Sequence, residues 1–135
     1  MLEKEGLDFR LKDGVEMLDN VDVGASIASG SFGVEQMALI PTSMNKLAKI
    51  AHGIADDLIT RAASVMIKER KTLLLAPREM PLSSIALENM LKLSQNNVLI
   101  AKENGARGAV IEALNPESKK SMRVRVLGNG MGEIL

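Results

Sequence analysis

Cysteine, tryptophan and tyrosine are absent from this chain of 135 residues, and phenylalanine occurs only twice. Without cysteine, disulfides and thiolate metal sites are excluded. The one histidine, His52, is too little for a zinc site, so no metal is expected. Any Tyr or Trp wall against a planar ligand has to come from another chain. Neither sign of charge dominates, since 17 Lys and Arg oppose 17 Asp and Glu. With no long basic run either, nucleic acid is not an expected partner. No apolar run is long enough to span a bilayer. Met1 to Arg10 is mixed in charge and has no signal-peptide core. These absences together predict a cytoplasmic protein that does not enter the membrane.

What is present is a core-forming composition. Hydrophobic residues make up 46% and methionines number nine, which predicts one folded domain, or one with a small appendage, packed from aliphatic side chains and Met. Leu11, Val15 and Leu18 share one helical face in a short amphipathic segment near the start. Ser26 to Gly33, with two glycines among small residues, reads as a loop. Met37 to Pro41 is a continuous apolar run, the signature of a buried strand. Thr42 and Ser43 then offer an N-cap for a helix carrying Leu47, Ile50 and Ala51 inward. Asp56 and Asp57 offer another, for a helix with Leu58, Ala62, Val65 and Ile67 inward and the basic residues Lys68 to Lys71 at its end.

Thr72 to Ala76 repeats the strand pattern. Pro81 to Ser94 reads as a third helix with Leu82, Ile85, Ala86, Met90 and Leu93 on its apolar face, and Asn97 to Ala101 as a third strand. Strand and helix in alternation predict a parallel α/β sheet. After Ala101 the texture changes. Glycines cluster, and Met122, Val124 and Val126 alternate with Arg123 and Arg125, the period of a half-exposed antiparallel strand. Ala109 to Ala113 and Glu133 to Leu135 read as its neighbours in a small β-meander. The expected division is an α/β unit over 1–101 and a β-rich tail over 102–135.

Ligands of open parallel sheets bind beyond the carboxyl ends of the strands. Two such ends stand out. Pro41-Thr42-Ser43-Met44-Asn45 opens a helix, so free N–H groups and the Ser43 hydroxyl can meet a phosphate or a polar ring edge. Pro77-Arg78-Glu79-Met80-Pro81 offers Arg78 for a phosphate and Glu79 as an ionised carboxylate or proton carrier. The plainer alternatives are a helix cap for Ser43, a solvated loop for Arg78 and Glu79, and a helix-terminal cation for Lys68.

The combination is more specific than either loop. Ala28-Ser29-Gly30-Ser31-Phe32, Ile40-Pro41-Thr42-Ser43-Met44, Arg61-Ala62-Ala63-Ser64-Val65, Ile67-Lys68-Glu69-Arg70, Arg78-Glu79-Met80-Pro81-Leu82 and Leu87-Glu88-Asn89-Met90 follow one another in order. Over about residues 8–101 this resembles the UbiX-type flavin prenyltransferase family. The resemblance implies an incomplete flavodoxin- or Rossmann-like parallel sheet with flanking helices, FMN as cofactor, and no metal. It implies transfer of a dimethylallyl group from dimethylallyl monophosphate to reduced FMN, with prenylated FMN passed to UbiD-type decarboxylases, in ubiquinone biosynthesis among other pathways. It also implies a large homo-oligomer with active sites at subunit contacts.

Residue by residue, Ser43, Met44, Asn45 and Lys46 match the loop that touches FMN, with Lys46 in place of an expected threonine. Arg78 matches an arginine that contacts the cofactor. Lys68 and Glu79 match the charged pair at the phosphate and proton-transfer site, so Lys68, Arg78 and Glu79 are the catalytic expectation. The family's opening glycine-rich phosphate loop and its later Tyr-His-Arg-Pro segment have no counterpart here, so impaired catalysis is expected. The alternatives are a non-catalytic FMN-binding or oligomerising fragment and a fused or truncated chain without function. The tail, through Glu103-Asn104-Gly105-Ala106-Arg107-Gly108, Leu114-Asn115-Pro116-Glu117-Ser118 and Met122-Arg123-Val124-Arg125-Val126, resembles the end of a FlgA-type flagellar P-ring assembly chaperone.

Overall fold

The computed structural model describes residues 13–101, 110–114, 121–128 and 131–134. Strands β1 (Gln36–Thr42), β2 (Thr72–Pro77) and β3 (Leu99–Ala101) alternate with helices α1 (Met44–Ala51), α2 (Leu58–Lys68) and α3 (Ser84–Gln95). Strands β4 (Val110–Leu114), β5 (Ser121–Gly128) and β6 (Met131–Ile134) follow. All six strands form one sheet in chain order. β1, β2 and β3 pair in parallel, and every pairing after β3 is antiparallel. The α/β architecture is therefore as the strand and helix pattern predicts. The change of texture after Ala101 marks a change of strand direction within a sheet that runs on through Ile100↔Leu114 and Ala101↔Ala113. Most of the motif positions of the tail, Glu103 to Gly108 and Asn115 to Ser118, lie outside the described residues.

β2 sits between β1 and β3, and Leu73, Leu74 and Leu75 are all essentially inaccessible. Both faces are covered, which is why this strand reads as an unbroken apolar run. Leu73 and Leu75 join Leu47, Ile50 and Ala51 of α1, Ala63 and Met66 of α2, and Ala86 and Leu93 of α3 in the main core. Ala63 and Met66 replace Val65 and Ile67 as the most buried residues of that face of α2, the latter two being only half-buried. On α3 the expected inward Ile85 is 70% exposed, and the buried position is taken by Asn89. The early amphipathic face does not form a helix: residues 15–19 have no regular structure and Val15 is exposed, while Leu11 lies outside the described residues.

The three helices end in the same way. Gly53, Arg70 and Asn97 take left-handed backbones at φ 71°, 55° and 71°. In each case the next residue donates back to the third-last helical carbonyl: Ile54 N to Lys49 O, Lys71 N to Met66 O and Val98 N to Leu93 O. This double closure satisfies carbonyls that a helix end leaves open. Only one of the three positions is glycine, the residue that adopts this backbone without steric cost.

Helix starts are capped by side chains. Ser43, Asp57 and Ser83 accept the backbone N–H three residues on, from Lys46, Thr60 and Ala86. The Asp57 and Thr60 side chains cap each other's backbone N–H reciprocally. Among the described residues, no helix is long and apolar enough to cross a membrane.

Candidate functional site

The register of β1 against β2 builds the site. Thr42 stands opposite Pro77, so Ser43 and Arg78 leave neighbouring parallel strands at the same edge of the sheet. Ser43 caps α1, with its hydroxyl receiving Lys46 N–H at 3.2 Å, and Leu47 N–H goes to the Ser43 carbonyl at 2.9 Å. The N–H groups of Met44 and Asn45 then have no partner among the described residues. Met44 is half-buried and packs against the core, while Asn45 is exposed. Across from them Arg78 and Glu79 are exposed, without ion-pair partners among the described residues, and Met80 is 80% exposed. This edge presents two backbone donors, a free guanidinium, a carboxylate and apolar Met side chains. That donor set suits an acceptor-rich ring edge or a phosphate.

The N-terminus of α2 contrasts with that of α1. Its first N–H groups are all occupied: Leu58 donates to the Asn20 carbonyl at 2.9 Å, Ile59 to Asn20 Oδ1 at 2.9 Å and Thr60 to Asp57 Oδ1 at 2.8 Å. The expected cation Lys46 points here rather than to the open edge, with its ammonium bound to Asp57 Oδ2. Asn20 carried no sequence signal. Its role depends on a contact between residues 37 positions apart.

Lys68 is elsewhere. It ends α2, and α2 runs back to the start of β2, so Lys68 lies at the opposite edge of the sheet from Arg78 and Glu79. Six residues of β2 separate the edges, roughly 20 Å at the rise of a strand. Lys68 there pairs with Glu69 at 3.3 Å and remains 71% exposed. The Ser29-Gly30-Ser31 turn packs against that same end, where a Cβ on Gly30 would fall 2.8 Å from Glu69 Oε1. The motifs therefore sort into two groups on opposite edges. One holds Ser43 to Asn45 with Arg78 and Glu79, and the other holds Ser29 to Phe32 with Lys68.

His52 is exposed at the C-cap of α1 and its Nε2 lies 3.0 Å from Asn89 Oδ1, which makes it a tie between α1 and α3. Asp56, beside Asp57, is held below the usual carboxylate range, chiefly by its hydrogen bond with Lys49 at 2.6 Å.

Comparison with known proteins bears on the family and the fold. A protein-family profile described as Flavoprotein matches residues 10–126. The flavin prenyltransferase UbiX of Helicobacter pylori strain 26695 is 65% identical over 80 residues, covering 59% of this chain and 43% of the relative. The crystal structure of a dodecameric FMN-dependent UbiX-like decarboxylase from Escherichia coli O157:H7 superposes with a TM-score of 0.62 at 50% identity, covering 64% of this chain and 47% of the other. AnUbiX, solved in complex with FMN and dimethylallyl pyrophosphate, gives a TM-score of 0.59 at 47% identity over 60% of this chain and 43% of its own. The chain thus spans a little under half the length of these relatives.

Proposed function

This chain belongs to the flavoprotein family, and on that premise we propose that it binds FMN at the edge formed by Ser43, Met44, Asn45 and Arg78. The observation that carries the reading is the Thr42↔Pro77 register, which sets the Ser43 loop beside the Arg78 loop at one strand-end edge. The Met44 and Asn45 N–H groups and the Arg78 guanidinium supply donors to the flavin's acceptor atoms, and Met44 supplies an apolar wall. Lys46, bound to Asp57, contributes through the loop backbone rather than by its charge.

The reaction we propose is that of the flavin prenyltransferases, with dimethylallyl monophosphate as donor and UbiD-type decarboxylases as recipients of the product. Reduced FMN supplies the nucleophilic ring. Arg78 and Lys68 stabilise the departing phosphate, and Glu79 accepts the proton released on ring closure. Lys68 lies at the far edge of its own sheet, so it reaches Arg78 and Glu79 from a second copy of the chain. This supports a homo-oligomer with sites at subunit contacts. Exposed Met80, Ile85, Leu87 and Leu91 give this region apolar surface for such contacts. A cytoplasmic location suits this chemistry. We propose further that residues 1–101 form the flavin-binding unit and that the tail over 102–135 is related to the FlgA-type chaperones, joined to that unit by continuing its sheet.

Turnover is expected to be poor. The sequence has no tyrosine to take the allyl phosphate, and one lost oriented transition-state contact typically costs on the order of 100-fold in rate. Flavin fluorescence titration of the purified chain tests binding, and its failure overturns the reading. Anaerobic incubation with reduced FMN and dimethylallyl monophosphate, followed by mass spectrometry of the flavin, tests the chemistry. Trace product that disappears in Glu79→Gln is the expected result, and complete absence of product favours a non-catalytic FMN-binding module.

A further inference from the structure

The junction between α1 and α2 carries an inference that rests on the flavin reading above. Asp57 collects four donors on its carboxylate. Oδ1 accepts Thr60 N–H at 2.8 Å and the Thr60 hydroxyl at 2.7 Å, and Oδ2 accepts Asn20 Nδ2 at 3.1 Å and the Lys46 ammonium. Both ion-pair side chains are largely withdrawn from water, at 23% and 18% exposure. Lys46 is held at its other end too, because its backbone N–H is the one that Ser43 caps. One residue therefore ties the loop with the free Met44 and Asn45 N–H groups to the N-cap of the next helix. The position of Asp57 is set independently, by its capping box and by Asn20.

We infer that Lys46 is a positioning residue of the ligand site: Asp57 holds its ammonium, which fixes the Ser43 loop against α2 and keeps the positive charge away from the bound flavin. Two conservative changes separate this role from simple support of the fold. Lys46→Met keeps an unbranched stem and removes the tether and the charge together. Asp57→Asn keeps an N-cap of equal quality but releases a mobile ammonium on a four-carbon stem, free to reach an anionic ligand.

The experiment is FMN titration of the full chain at low and high salt, with urea midpoints measured alongside, for wild type, Lys46→Met, Lys46→Arg and Asp57→Asn. Lys46→Met should weaken FMN roughly 3- to 10-fold without adding salt dependence, and Lys46→Arg should keep the affinity of the wild type. Asp57→Asn should make FMN binding newly sensitive to salt, since an unpaired exposed charge is screened where a paired, half-buried one is not. Wild-type affinity in Lys46→Met overturns the inference and leaves the flavin reading standing. So does an equal loss of affinity in Lys46→Met and Asp57→Asn that follows the urea midpoints with no change in salt response. No FMN binding by the wild-type chain overturns both.

Discussion

Thr42 Oγ1 receives the Ala76 N–H at 3.1 Å and donates to the Leu39 carbonyl at 2.7 Å. The pairing of β1 with β2 is even from Gln36↔Thr72 to Leu39↔Leu75, then slips by one residue so that Thr42 meets Pro77. Pro41, inside the slip, has no N–H to give. The Thr42 hydroxyl fills the gap in the ladder at the place where the chain turns into the Ser43 loop. Thr42 is fully buried, so no water can take over that role.

Replacing Thr42 by valine keeps its shape and removes the hydroxyl. The Ala76 N–H is then buried without a partner, which should cost about 1–3 kcal/mol. Thr42→Ser should lose less, because the oxygen remains. Urea unfolding of the two variants checks this, and equal midpoints would show that the hydroxyl is not what closes the ladder.

Arg70 sits in the left-handed conformation where the equivalent position of α1 carries Gly53. Arg70→Gly should raise stability by up to about 1 kcal/mol, relief of the side-chain clash being partly offset by the freer unfolded chain. Asn97→Ala at the matching position of α3 should lower stability, because alanine tolerates this backbone less well than asparagine. Thermal melts of both variants provide the test, and opposite signs are the expected outcome.

Arg78 and Ser43 should differ in how they affect binding. Arg78 is exposed and makes no ion pair among the described residues, so Arg78→Ala should weaken FMN with an unchanged unfolding midpoint. Ser43 caps α1, so Ser43→Ala should weaken FMN and also cost about 1 kcal/mol of stability. Equal FMN affinity for wild type and Arg78→Ala removes Arg78 from the site.

The Lys49 ammonium keeps Asp56 ionised to lower pH than an ordinary aspartate. The sign follows: a carboxylate with a depressed folded-state pKa adds stability above its unfolded pKa, and the gain disappears as pH falls through the folded value. Because the pair is at the surface, the effect is small and shrinks with salt. Carbon NMR of the Asp56 carboxyl should show a titration below the normal aspartate range that returns towards it in Lys49→Ala.

The sequence by itself determined the elements and their order. Of the two unbroken apolar runs, Thr72 to Ala76 is buried on both faces as such a run requires, whereas Met37 to Pro41 forms the strand at the end of the sheet, where Ala38 and Pro41 stay exposed and the other positions are half-buried. Ser43, Asp57 and Ser83 each mark a helix start through local hydrogen bonds within three residues, which a sequence states directly. Arg78 and Glu79 were legible as strand-end residues for the same reason. What only the tertiary structure decided are relationships across the chain. Pairing register placed Ser43 beside Arg78, and the return direction of α2 sent Lys68 to the other edge. Asn20 became part of a helix cap 37 residues away, and Lys46 was claimed by Asp57. The helical periodicity of Leu11, Val15 and Leu18 and the apolar character of Ile85 misled for one reason. A local pattern states which residues can be buried, but burial needs a partner surface, and only the packed sheet decides where one is available.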